Sequence, residues 1–155
     1  MRRLLHFPCF FMLIIAFSSG GCKHHTHDDH LAFYVDSACK AGGGKLNISA
    51  FKKVKWDTLY VIRPYTPIGK LPAQLLPYQE QIASTGIDQV DRFYVLLLTD
   101  KGKLTEMARI PAGLVDWARL DQHTGGNNVG IFQRDRTNFN TTYDAAQHRF
   151  VLTRP

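Results

Sequence analysis

Histidine crowds one short stretch of this 155-residue chain: His24, His25, His27 and His30, with Asp28 and Asp29 among them. Neutral imidazoles suit zinc, copper or nickel, and on a helix His27 and His30 share a face. Held rigidly, the four would make a divalent-metal site. No second cluster of ligands faces them in the sequence, however, and a polar run of this kind serves equally as a solvated tether. Two more histidines stand near carboxylates, His123 by Asp121 and His148 by Asp144. Such pairs do acid–base work when a nucleophile motif or an H-E-x-x-H helix accompanies them. Neither does here, so no residue is assigned a catalytic role and no cofactor is expected beyond a divalent metal.

A different chemistry lies in the segment 56–67, Trp-Asp-Thr-Leu-Tyr-Val-Ile-Arg-Pro-Tyr-Thr-Pro. Pro64 and Pro67 stiffen its end, so Arg63 and Tyr65 can be offered to a protein partner as a cation and an aromatic ring at low ordering cost. The bland alternative is that Trp56 and Tyr65 close the core at the two ends of a buried strand. The segment loosely resembles small, uncharacterised bacterial lipoproteins; the likeness spans about a dozen residues and implies no activity. Cys39 falls beside the apolar stripe of a helix, near its C-terminal end, where a thiolate is disfavoured. Gly42-Gly43-Gly44-Lys45 lacks the first glycine and the Ser or Thr of a phosphate loop and follows a helix, which makes it a helix stop.

The first residues carry the most specific signal. Arg2 and Arg3 precede an apolar run over 4–17, then Ser18-Ser19-Gly20-Gly21-Cys22. This is the order of an export signal: basic, apolar, then small residues at a cleavage zone. As a helix the apolar run reaches only about 21 Å, against a bilayer core of roughly 30 Å, and His6 and Pro8 interrupt it. Ser19-Gly20-Gly21-Cys22 resembles the lipobox of bacterial lipoprotein precursors. That resemblance implies diacylglyceryl transfer to the thiol of Cys22, cleavage before it, and a palmitate-type chain on the new amino terminus. Lys23 then stands where inner-membrane retention in enteric bacteria favours Asp, which implies the outer membrane with the domain facing the periplasm. Several acyl chains make detachment negligible, because each buried methylene contributes ~0.8 kcal/mol. An ordinary secretory cut near Gly20 is the other reading. With Cys9 in the discarded segment, the cysteines left are Cys22 and Cys39: lipid on Cys22 leaves Cys39 alone, and an unmodified Cys22 is free to pair with it.

Loss of residues 1–21 removes Arg2 and Arg3 and leaves 17 basic against 13 acidic residues, a formal charge of +4 on 134 residues. The basic residues are scattered, and an exported chain has no nucleic acid to meet. The expected organisation is a signal over 1–21, a His-rich tether over 22–30 and one globular domain over 31–155.

The elements that must position these residues follow from pattern. Thr26 and Asp29 have the spacing of a capping box for a helix over 27–41, with Leu31, Val35 and Ala38 on one face and Phe33 off that stripe. Strands are expected over 45–51 and 57–63; in the second, Leu59 and Val61 oppose Tyr60 and Ile62, so both faces need cover. Pro72 and Pro77 divide a helical stretch within 68–84. Residues 93–99 and 104–110 form a hairpin about Asp100-Lys101-Gly102-Lys103, with Leu104, Ala108 and Ile110 inward. A short helix is read from Pro111 to Leu120, and strands over 129–134, 139–143 and 148–153. The sum is an α+β fold, an antiparallel sheet of about five to six strands with two to three helices packed on it. Function is expected to be protein binding at a membrane, by an envelope component or an immunity-type protein. Metal binding through the histidines and an envelope hydrolase are the alternatives.

Overall fold

The computed structural model describes residues 29–120 and 128–155 and begins with α1 (His30–Lys40). Leu31, Val35 and Cys39, spaced four apart, form its buried stripe. Asp29 is the N-cap, but its side chain makes no capping bond; its carbonyl accepts the Phe33 amide at 2.9 Å. Thr26, the other half of the expected capping box, lies outside the described residues, and so do the lipobox and most of the tether. His30, the tether's expected last residue, is the first of the helix. Beyond α1 the chain turns at Gly42 and Gly44, whose φ of +70° and +64° any side chain would strain.

β1 (Lys45–Asn47) stops short of the strand expected over 45–51. A 3-10 turn, Ile48–Ala50, takes over, with Ile48 donating its amide to Thr137 and Phe51 donating back to Ile48, each at 2.9 Å. Strand alternation would send Phe51 to the face opposite Leu46 and Ile48; the turn buries all three in one core. β2 (Thr58–Ile62) follows, then 3-10 turns over Ile68–Lys70 and Ala73–Tyr78 and the short α2 (Gln79–Ala83). β3 (Phe93–Asp100) and β4 (Lys103–Pro111) make the expected hairpin. The chain closes with β5 (Val115–Asp116), β6 (Val129–Gln133), β7 (Asn138–Asp144) and β8 (Arg149–Thr153).

The class is α+β. The strands do not form a single sheet, however: the described residues hold eight strands in two four-stranded sheets, ordered β4-β3-β2-β6 and β1-β7-β8-β5, and two α-helices. All neighbours are antiparallel except β5 and β8. The first sheet is covered on both faces, as the alternation in β2 requires. Leu59, Val61, Leu96 and Leu98 pack toward α1 and the second sheet, whose Phe139 and Leu152 join Trp117 in the same core. Tyr60, Ile62, Val95 and Leu97 face the opposite way, under Leu71, Leu75, Ile82 and Ile87 of the long crossover between β2 and β3.

Two expectations are corrected. Residues 111–120 do not form a helix. Pro111 ends β4, an edge strand where a missing donor is harmless, and Val115–Asp116 pairs in parallel with Phe150 and Val151. Only Ala118–Leu120 takes a 3-10 turn. Burial of Val115 and Trp117 and the bond from the Phe150 amide to the Leu114 carbonyl (2.8 Å) outweigh the local helical spacing. Leu104 does not share the face of Ala108 and Ile110 either. A bulge between Leu98 and Thr99 on β3 leaves Thr105 unmatched on β4, and the extra residue turns Leu104 to the crossover side.

Candidate functional site

Two surfaces stand out, one at each end of β2. At the far end the backbone passes through Arg63, Pro64 and Tyr65, where Tyr65 takes a left-handed φ of +58°. An aromatic residue adopts that conformation only when its surroundings over-determine it. They do: the Tyr65 amide donates to the Ile87 carbonyl at 2.8 Å. Thr66, buried, donates its hydroxyl to the carbonyls of Arg63 (2.6 Å) and Asn128 (3.2 Å). Arg63 donates its amide to the Asn128 carbonyl and its guanidinium to the Ala118 carbonyl at 3.0 Å. Three distant pieces of chain thus hold the loop, and the Tyr65 ring, 56% exposed, projects from it. Of the two expected contact residues, Tyr65 is exposed, and Arg63 is half-buried and bonded to the Ala118 and Asn128 carbonyls. Trp56, at the other end of the segment, closes the core as the bland reading holds. Its indole donates to the Phe51 carbonyl at 3.1 Å, and the Arg134 guanidinium lies 5.0 Å over its ring.

The second surface is a groove of about 410 Å³ between α1 and the loop that leads into β2. His30, Phe33, Tyr34, Ser37, Ala50 and Phe51 line it, together with the exposed Lys52 and Lys53. Phe33 is 75% exposed, the most exposed large hydrophobic side chain among the described residues. Tyr34 stands edge-on to the Phe51 ring at 5.4 Å and donates its hydroxyl to the Asn47 carbonyl at 2.7 Å. The sequence held a sign of this surface in Phe33, the one large apolar residue off the helix stripe, and in the Phe-Lys-Lys-Val-Lys run over 51–55.

The remaining candidates within the described residues lie apart from both surfaces or are core and turn side chains. His24, His25, His27, Asp121 and His123 lie outside the described residues, as does Cys22, and among the described residues no three His, Cys, Asp or Glu side chains gather as metal ligands would. His148 sits exposed in the β7–β8 turn with Nδ1 3.4 Å from the Tyr143 hydroxyl. Asp144 instead accepts the amides of Ala146 and Gln147, which makes it a turn residue. Cys39 is buried, and burial first, then the charge of Asp36, pushes its thiol up to about 11. A thiol so held is a core side chain, inert as a nucleophile near neutral pH.

Comparison of the chain with protein-family models, with curated proteins and with solved structures finds no match in any of the three. Among the described residues no helix is long and apolar enough to cross a membrane.

Proposed function

We propose that this chain is a bacterial lipoprotein, anchored to the outer membrane through acyl chains on Cys22, whose periplasmic domain works by holding a protein partner. The observation that carries the binding reading is Tyr65: an exposed aromatic ring on a backbone fixed in a strained conformation by hydrogen bonds from three directions. Rigid aromatic residues make efficient anchors in interfaces, because they bury large area and little freedom is left to lose on binding. The order of basic, apolar and small residues before Cys22 supports the anchor. The depth of Cys39 supports it too, since a disulfide to Cys22 would have to break into the buried stripe of α1.

An envelope assembly component and an immunity-type protein both fit this reading. The test places a photo-crosslinking amino acid at Tyr65 in the full chain in cells. One discrete adduct from that position, absent when the probe is placed at exposed Tyr143 instead, supports the proposal. No adduct from position 65 under conditions where the protein is folded and acylated would overturn it.

A further inference from the structure

We infer that the groove between α1 and residues 50–53 is a membrane-contact face, resting on the bilayer surface with Phe33 among the acyl chains and Lys52 and Lys53 at the anionic headgroups. The inference rests on acylation of Cys22.

Two observations select a lipid surface as the occupant. The first is chain length. From Cys22 to Asp29, where the described residues begin, a fully extended chain spans at most about 25 Å. A domain of this size is about 35 Å across, so the tether cannot bring its far side to the bilayer. What meets the membrane is the surface around the entry of α1. Phe33 lies one turn into that helix, about 5 Å from its start.

The second is side-chain chemistry. A ring as exposed as Phe33, lining a mostly apolar groove together with two exposed lysines, is the composition by which peripheral surfaces sit at the headgroup boundary. Lys52, Lys53 and Lys55 are exposed on the same loop, with Lys55 3.7 Å from Asp100. Of the nearby acids, Asp36 is paired with Lys40 at 2.8 Å, and Asp29 stands exposed at the start of α1 with no capping bond from its side chain, one carboxylate against the lysines of the loop. Lysine stems cover apolar surface while their ammonium groups reach anionic lipid, an attraction that salt screens. Tyr65 follows β2 in the chain, whereas the groove's loop precedes it, and none of the groove's lining residues belongs to the Tyr65 loop.

The full-length acylated protein carrying F33W, reconstituted in phosphatidylethanolamine–phosphatidylglycerol vesicles with brominated or ordinary acyl chains, tests the placement. The native Trp56 and Trp117 are both buried, so they form a constant background. The expected result is a blue-shifted emission and a loss of intensity with brominated lipid. Both should diminish when Lys52 and Lys53 are replaced together by Glu or phosphatidylglycerol is left out. Equal emission in the two kinds of vesicle, from a protein whose amino-terminal mass shows acylation, would overturn the contact face and leave the anchor standing. So would shielding of the new indole that is insensitive to bromine and accompanied by crosslinked dimers, which would make the occupant a second copy. An unacylated Cys22 would instead remove the anchor, and this inference with it. Thermal midpoints equal to wild type confirm that both variants are folded.

Discussion

The carboxylate of Asp57 accepts the backbone amide of Lys101 at 2.7 Å, joining the entrance of β2 to the tip of the β3–β4 hairpin. Lys101 and Gly102 both have positive φ, +50° and +77°, the pairing that matches a two-residue turn to the twist of its strands. A lysine is an unusual choice for the first position, and the bond from Asp57 compensates for it. The same carboxylate accepts the Thr58 hydroxyl at 2.8 Å, while the Asp57 backbone bonds both Thr99 and Arg134.

These donors, the Lys101 amide foremost and the Thr58 hydroxyl next, hold the Asp57 carboxyl below the usual carboxylate range. The folded state therefore releases this proton more readily than the unfolded chain. Its contribution is complete above the unfolded value of about 4 and is lost as pH falls through the folded one. Thermal midpoints of wild type and Asp57→Asn, compared from neutral pH to about pH 3, should converge on the acid side. Curves that stay parallel would show that the bond contributes no pH-dependent stability.

Asp116 is a buried carboxylate with three polar contacts. It lies 3.0 Å from the Arg149 guanidinium and accepts the Tyr94 hydroxyl (3.2 Å) and the Ala118 amide (2.8 Å). Burial first, then the charge of Asp116, pushes the Tyr94 phenol up to about 12. Arg149→Met should destabilise by about 2–3 kcal/mol, somewhat less than breaking a fully buried pair, because the Arg149 side chain is partly exposed and solvent screens it. Tyr94→Phe, which removes one hydrogen bond, should cost about 1 kcal/mol. Between about pH 10 and the folded value the unfolded phenol ionises first, so stability should fall as pH rises. Urea unfolding of both variants checks the order; a smaller loss in the arginine variant than in the phenylalanine one would contradict it.

The sequence shows an element where the contact that decides it is local. The β3–β4 hairpin is written in Phe93-Tyr94-Val95-Leu96-Leu97-Leu98 and the turn after it, and the two covered faces of β2 in its own alternation. α1 shows in the spacing of Leu31 and Val35. β5 does not show, because Leu114, Val115 and Ala118 have helical spacing and the ladder that overrides it comes from Phe150. The division into two sheets rests on pairings such as Leu46 with Phe139, which no window of sequence spans. In the candidate sites, the stiff Pro64–Pro67 loop was visible, but Arg63 and Tyr65 look alike in sequence as polar tips. Only the carbonyls of Ala118 and Asn128 separate their roles.

Cys39 offers a direct count of the chain's sulfur chemistry. If Cys22 carries lipid, the processed protein should react with no iodoacetamide while folded and with one equivalent once denatured, because burial keeps the Cys39 thiol protonated and covered. A free Cys22 would instead give one equivalent in the native protein and two in the denatured one. A Cys22–Cys39 disulfide would give none in either until reductant is added. Electrospray masses of the labelled chains distinguish all three, and only the first pattern agrees with the anchor.

Tyr65 separates display from packing. Left-handed backbone costs a side-chain-bearing residue roughly 1–2 kcal/mol, a strain that glycine does not feel. If the ring contributes little to the core, Tyr65→Gly should leave stability unchanged or raise it slightly, relief of strain being offset in part by the entropy of a glycine in the unfolded chain. Tyr65→Ala, which keeps the strain and loses the ring, should be the less stable of the two, and both should fail to retain, on co-purification, the partner that the probe at position 65 identifies. Should Tyr65→Gly fall by more than about 2 kcal/mol, in the range of a lost packed aromatic, the ring would be holding the fold together, and the binding role would have to lie elsewhere on the domain.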